Sequence, residues 1–353
     1  MRKIIIVILV LILSDVGNTC TLESTPVCEN SEIIWFEATG KNLVGCWTDG
    51  TVRRWDVNTG ELISHFRISD YEFYGYSHKL FVSCNDRPTI AVIGGETLQD
   101  DSLYTAVSFY DLLTGEQIKT TKIEGTGFNG HGFSKDGHLF FCSSYFSCES
   151  VLCIDTQTGK TIWRSVYPLI APLMQTCICG TGLGYVNFFS SAEVEARNSN
   201  GELIWRWERE KPTDWLELAY RQPTVPSDIV LVLKNDDTIA AMSLTNGSIL
   251  WEKSGVELCT ASVDRKKQVF YTNDTLEIWS LPENKFVSVP QLKERCEAVF
   301  TETGEYLLCL PTLEIVEEDE KANTCKFARK SNILKVVDCK TGQVVRQFEL
   351  KKP

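Results

Sequence analysis

Trp47-Thr48-Asp49-Gly50-Thr51-Val52-Arg53-Arg54-Trp55-Asp56-Val57-Asn58-Thr59-Gly60-Glu61-Leu62 reads as one strand held between two turns. Asp49-Gly50 suits a tight hairpin, because Asp bonds back to its own backbone and Gly accepts a positive φ without a Cβ clash. Thr51 to Asp56 then alternates, with Thr51, Arg53 and Trp55 on one face and Val52, Arg54 and Asp56 on the other. Its β-branched and aromatic residues fit a pleated surface. Asn58-Thr59-Gly60 predicts the second turn, and Glu61 to Phe66 opens a further strand.

The motif returns in looser form at Asp111-Leu112-Leu113-Thr114-Gly115, Asp155-Thr156-Gln157-Thr158-Gly159, Asn198-Ser199-Asn200-Gly201, Ser243-Leu244-Thr245-Asn246-Gly247, Ser280-Leu281-Pro282-Glu283-Asn284 and Asp338-Cys339-Lys340-Thr341-Gly342. The seven marker positions are separated by 55, 44, 42, 46, 37 and 58 residues. A period near 40–50 with strand-turn-strand texture predicts a β-propeller, not a helical solenoid. A second signature, Gly132-Phe133-Ser134-Lys135-Asp136-Gly137 before Leu139 to Cys142, joins an innermost strand to a nearly all-apolar second strand. Apolar character on both faces places that strand between neighbouring sheets.

The expected fold is therefore all-β, a seven-bladed β-propeller of four-stranded blades. The strand after each turn, such as Ile162 to Ser165 or Ile249 to Glu252, is read as the outer strand of the following blade. On that reading the C-terminal strand, Gln343 to Glu349, pairs with the N-terminal strands and closes the ring, removing an open edge. Two insertions, Gly94 to Ser102 and Glu314 to Ser331, fall between second and third strands; the latter carries Glu317-Glu318-Asp319-Glu320.

Phe-Ser-x-Asp-Gly, a hydrophobic strand, Trp-Asp and x-Thr-Gly resemble the WD-repeat propellers. Thr158-Gly159-Lys160-Thr161-Ile162-Trp163, Gly201-Glu202-Leu203-Ile204-Trp205 and Gly247-Ser248-Ile249-Leu250-Trp251 are similar to the repeats of quinoprotein-like propellers. The likeness spans about residues 30 to 350 and implies a fold, since propellers host many unrelated activities.

Residues 1–19 have the anatomy of a secretory leader: Met1-Arg2-Lys3, an apolar run from Ile4 to Leu13, then smaller residues, with cleavage after Ser14 or Thr19. The run falls short of the ~20 residues of a spanning helix. Residues 20–30 form an N-terminal extension and 31–350 one propeller domain. Asn246-Gly247-Ser248 and Asn273-Asp274-Thr275 are candidate glycosylation sites at Asn246 and Asn273. The 14 cysteines suit an oxidising route. Cys20 with Cys28, Cys148 with Cys153, and Cys325 with Cys339 are disulfide candidates, while Cys46, Cys84, Cys142 and Cys309 read as buried hydrophobes in second strands. The net charge of −12 disfavours nucleic acid and anionic lipid.

Only four histidines occur, with neither an H-E-x-x-H pair nor paired C-x-x-C sites. His131 reads as structural, on the approach to an inner strand. Gly180-Thr181-Gly182-Leu183-Gly184 is not followed by the Lys-Ser/Thr of a phosphate loop. Quinone-dependent relatives would need an adjacent-cysteine pair and a calcium cluster, whereas Cys177-Ile178-Cys179 is interrupted. The repeat tryptophans read as inter-blade packing. No catalytic, cofactor-binding or metal site is read. The function expected is a secreted, non-enzymatic platform for a protein or glycan ligand, without nucleic acid or stable membrane insertion. Two other readings stay open: a secreted hydrolase or oxidoreductase with a site at the channel mouth, and a membrane-anchored or intracellular WD-like scaffold.

Overall fold

The computed structural model describes residues 33–350 except 48, 69–78, 83–87, 100–101, 126–127, 135, 145–149, 167–172, 179–183, 190–193, 199, 201, 208–215, 219–227, 235–237, 263–265, 273–274, 281–284, 293 and 320–323. The described chain forms seven four-stranded antiparallel sheets and one two-stranded ribbon. Sheets I to VI cover residues 33–67, 79–124, 128–166, 173–207, 216–254 and 257–288. Sheet VII takes 296–311 and 333–349, and the ribbon, Leu313–Asp319 with Thr324–Arg329, springs from between its second and third strands. Every sheet is laid down in chain order from its first strand to its fourth.

First strands of neighbouring sheets touch one another at six of the seven seams, so they line the axis and the fourth strands lie outermost. Burial on both faces explains the continuous apolar runs. In sheet V, Val230, Val232, Ala240 and Met242 pack towards sheet IV, while Leu231, Ile239 and Ala241 turn the other way towards sheet VI. Seven such cores join I to II, II to III and so on around to VII. The last, between VII and I, closes the ring with Leu43, Trp47 and Trp55 against Leu308, Leu310, Leu334 and Val336.

The marker turns are built alike. Asp56 Oδ1 accepts from the N–H groups of Asn58 and Thr59 at 2.6 and 3.0 Å, the Gly60 N–H bonds the Asp56 carbonyl, and Thr59 Oγ1 accepts from the Glu61 N–H. Asp111, Asp155 and Asp338 repeat the arrangement. Gly is required twice over. Its φ is positive, +76° at Gly60 and +69° at Gly342, and the outer strand of the preceding sheet lies directly against it. A Cβ on Gly60 would sit 2.9 Å from Phe348, and one on Gly115 would sit 2.6 Å from Phe66. Trp205 uses the same seam: it covers Gly247, and its indole N–H donates to the Leu244 carbonyl at 3.0 Å.

Two expectations are corrected. The strand after each turn belongs to the same sheet as the strand before it: Leu62–Arg67 pairs with Thr51–Asp56, and Thr161–Val166 with Ser150–Asp155. A turn this short returns the chain antiparallel to the strand it has just left. In consequence the C-terminal strand Val344–Glu349 pairs with Ile333–Asp338 of sheet VII and not with the N-terminal strands, which have their own fourth strand. Closure is made by side chains instead. Phe348 covers Gly60, and Arg346 Nη1 donates to the Val57 carbonyl and to Asn58 Oδ1 at 3.2 and 3.0 Å.

Candidate functional site

Both insertions extend the connection between second and third strands. In sheet II, Thr89–Gln99 and Ser102–Asp111 continue to pair beyond Gly94, through a bulge, as far as Gln99 opposite Ser102. In sheet VII the counterpart is the ribbon, with Leu313 opposite Arg329 and Asp319 opposite Thr324. Because all sheets run in one sense around the axis, these connections belong to one end of the ring. Sheet I lies between VII and II, so its own connection, between Trp47 and Thr51, is flanked by the two longest.

That connection turns at Gly50, whose N–H bonds the Trp47 carbonyl, while Asp49 Oδ1 accepts from the Thr51 N–H at 2.8 Å. Beneath it, Gly45 stands opposite Arg53 in the register. The missing Cβ makes room for the Trp47 ring, which would lie 3.1 Å from a Cβ placed there. Trp47 is fully buried, tilted against Trp55 at 5.1 Å, and the Arg53 guanidinium carbon stands 4.0 Å over its ring. Arg53 is 3 % exposed. Burial pulls its ionisation down, opposed by the fields of Asp49 and Cys46. Arg53 Nε and Nη1 and Trp47 Nε1 are sealed from solvent without a hydrogen-bond partner. On the opposite face, Arg54 is also pulled down by burial, against the field of Asp111 in sheet II.

The site therefore holds donors in excess of acceptors. It can receive an acceptor. Among the described residues, no group of three or more His, Cys, Asp or Glu side chains is placed to hold a metal ion. A cleft is lined by Arg295, Cys296, Cys309 and Lys335, from sheet VII and the connection that enters it. There the Tyr271 hydroxyl bonds the Cys296 carbonyl at 3.0 Å and accepts from its N–H at 2.8 Å.

The structure scatters the candidates read from sequence. Asn246 is exposed on the turn between the third and fourth strands of sheet V, where its Oδ1 accepts from the Ser248 hydroxyl at 2.8 Å. Asn273, Cys20, Cys28, Cys148 and Cys84 lie outside the described residues. Cys325 falls on the ribbon strand Thr324–Arg329. Cys153 is a buried thiol in Ser150–Asp155, pushed up to about 12 by burial, and Cys339 is another between sheets VI and VII, raised to about 12 by the same cause. Cys46, Cys142 and Cys309 are buried in second strands, as their pattern predicts. His131 lies in the inner strand Phe128–Phe133. Arg53 drew no attention in the sequence, although alternation already put it on the face of Trp55, which is the face that the ring covers.

No protein-family model and no curated protein matches the sequence. Among solved structures, the chain is similar to the β-propeller domain of Cps50 (Swd1) from Myceliophteria thermophila, at 14% identity and a TM-score of 0.52, over 80% of this chain and 96% of that one. It is also similar to the computationally designed Ika8 protein, at 14% identity and a TM-score of 0.51, over 92% and 89% of the two chains. At such identities the likeness speaks to fold alone. With its ring of sheets sealed by turn glycines, and with these two likenesses, the chain is an all-β β-propeller.

Proposed function

We propose that this chain is a seven-bladed propeller, each four-stranded sheet counting as one blade, that works as a secreted, non-enzymatic platform for a protein ligand. The observation that carries the reading is the asymmetry of one end of the ring. Two lengthened hairpins stand on either side of sheet I, and buried donors without acceptors lie at its head. Long connections on a rigid scaffold are where recognition concentrates. The residues of the marker turns, by contrast, are consumed by their own hydrogen bonds. The apolar run after Met1-Arg2-Lys3 and the two glycosylation triplets support an extracellular route.

The test is quantitative capture from extracellular fluid with the full chain and with a variant whose ribbon, 313–329, is replaced by a short turn. The expected result is a protein retained by the first and lost by the second. Identical capture by both would count against this end of the ring. Sequencing the mature N-terminus bears on the route separately: a start after Ser14 or Thr19 supports secretion, and retention of Met1 defeats it.

A further inference from the structure

We propose that Arg53, backed by Trp47 in the seam between sheets I and VII, is a recognition site for a carboxylate. Arginine cannot shed its proton inside a protein, so its charge remains when water is removed. A buried charge without hydrogen-bond partners is among the costliest arrangements a fold can retain. Some compensation is present. Trp47 lies beneath the guanidinium at 4.0 Å, and a cation over an indole face is attracted to it. Stacking, however, uses the flat of the guanidinium, whereas its N–H groups point outward in the plane. Nε and Nη1 on those edges have no acceptor, nor has Trp47 Nε1 beside them. Asp49 contributes its field, but its Oδ1 is engaged by the Thr51 N–H.

Two other sheets show what a polar residue at this position looks like when it is satisfied. Three residues before the marker Asp or Asn, sheet II has Ser108, bonded at 2.8 Å to Thr120 directly across on the outer strand. At the same place sheet IV has the buried Glu195, gripped by Arg206 across from it and by Arg197. In sheet I the residue across from Arg53 is His65. It is exposed and makes no bond to Arg53. The guanidinium thus lies one strand in from solvent. Nη2 is the nitrogen of the three that is not among the sealed, unpartnered atoms, and it belongs to both forks of the group. An acceptor with two oxygens in one plane entering at Nη2 can take either fork, and that is carboxylate geometry. The long-range field of a chain with net charge −12 weighs against a dianion such as phosphate more than against a singly charged carboxylate. A small free carboxylate and an acidic side chain of a bound protein present the same chemistry.

The probe is sodium acetate, titrated at constant ionic strength against sodium chloride and sodium phosphate, with thermal midpoint and calorimetric heat as readouts. The wild type is expected to be stabilised by acetate well beyond the other two salts. Arg53→Met and Arg53→Lys are both expected to lose this by about tenfold or more in apparent affinity, because a lysine keeps the charge but not the planar fork. Equal stabilisation by all three salts, preference for chloride or phosphate, or full rescue by lysine would overturn the site. Should either variant fail to fold, line broadening of 13C-acetate on the wild-type protein decides, and no exchange means no site. The capped peptide acetyl-Ala-Glu-Ala-amide separates the two sources: binding tighter than acetate assigns the site to a partner's side chain, and binding no tighter assigns it to a free carboxylate. Acetate binding without any ribbon-dependent protein capture would leave this site standing and the platform reading defeated, and the reverse result would do the opposite.

Discussion

A marker turn such as Asp155 to Gly159 works because each residue meets a separate need of the backbone. Asp155 takes two N–H groups that the strand has left behind, Thr158 takes the one after the turn, and Gly159 supplies a left-handed φ of +69°. The N–H of Thr158, and then its hydroxyl, hold the Asp155 carboxyl below its usual range. A depressed folded value means that its stabilisation is fully present above the unfolded value of about 4 and is lost as pH falls through the folded one. In urea unfolding across pH, the gap between wild type and Asp155→Ala is therefore expected to narrow in acid, and a gap constant down to about pH 2 would refute the account. Two glycines separate conformation from contact. Gly255 has a φ of +70° with nothing within 4 Å, whereas a Cβ on Gly342 would meet the Ser288 carbonyl oxygen at 2.3 Å. Gly255→Ala should cost about 1 kcal/mol and Gly342→Ala at least about 2 kcal/mol more, compared by urea midpoints.

At the scale of the element, the outer strand does two jobs. Its backbone completes its own sheet, and its side chains seal the turn of the next. Trp205 shows the second, covering Gly247 and donating to the Leu244 carbonyl. Trp205→Phe retains much of the area but strands that carbonyl, and should cost about 1–2 kcal/mol. The same logic applies to Val344–Glu349. Since its ladder partner is Ile333–Asp338, Phe348→Ala should leave sheet VII paired while loosening the seam with sheet I, by about 2 kcal/mol. Amide hydrogen exchange checks where the loss falls. Faster exchange is expected across the Gly60 turn of sheet I, and protection lost throughout Ile333–Asp338 instead would contradict the seam.

At the scale of the molecule, seven apolar seams hold the ring, and among the described residues no strand of the first or last sheet is lent to the other. The first and last sheets meet as any other two do, so nothing in the ladder marks where the chain begins. Buried thiols report on the integrity of the ring. Cys46, Cys142, Cys153 and Cys339 are held in their neutral form by burial, which suppresses the reactive thiolate. Pulse alkylation read by mass spectrometry should leave all four unmodified in the native protein and label them together at the urea midpoint. Labelling of Cys339 well before Cys142 would mean that the seam between VI and VII opens on its own.

Residues near in sequence settled much of this protein. The Asp, Thr and Gly of the marker turns, the near-regular period and the both-faced apolar strands were enough to predict sheets arranged in a ring, because hydrogen bonds within four or five residues depend on little else. The outer strand was assigned to the wrong sheet even though the shortness of the turn already demanded a hairpin. Its consequence, the supposed pairing of the two ends, failed with it. Both faces of Thr51–Asp56 are covered, one by sheet II and the other by sheet VII, and what no local pattern could decide was how deeply each position would be buried. Arg53 alternates in the sequence like any surface arginine. Only the arrival of sheet VII against Trp47 and Trp55, residues some 250 positions away along the chain, removes its water and leaves its N–H groups in need of an acceptor.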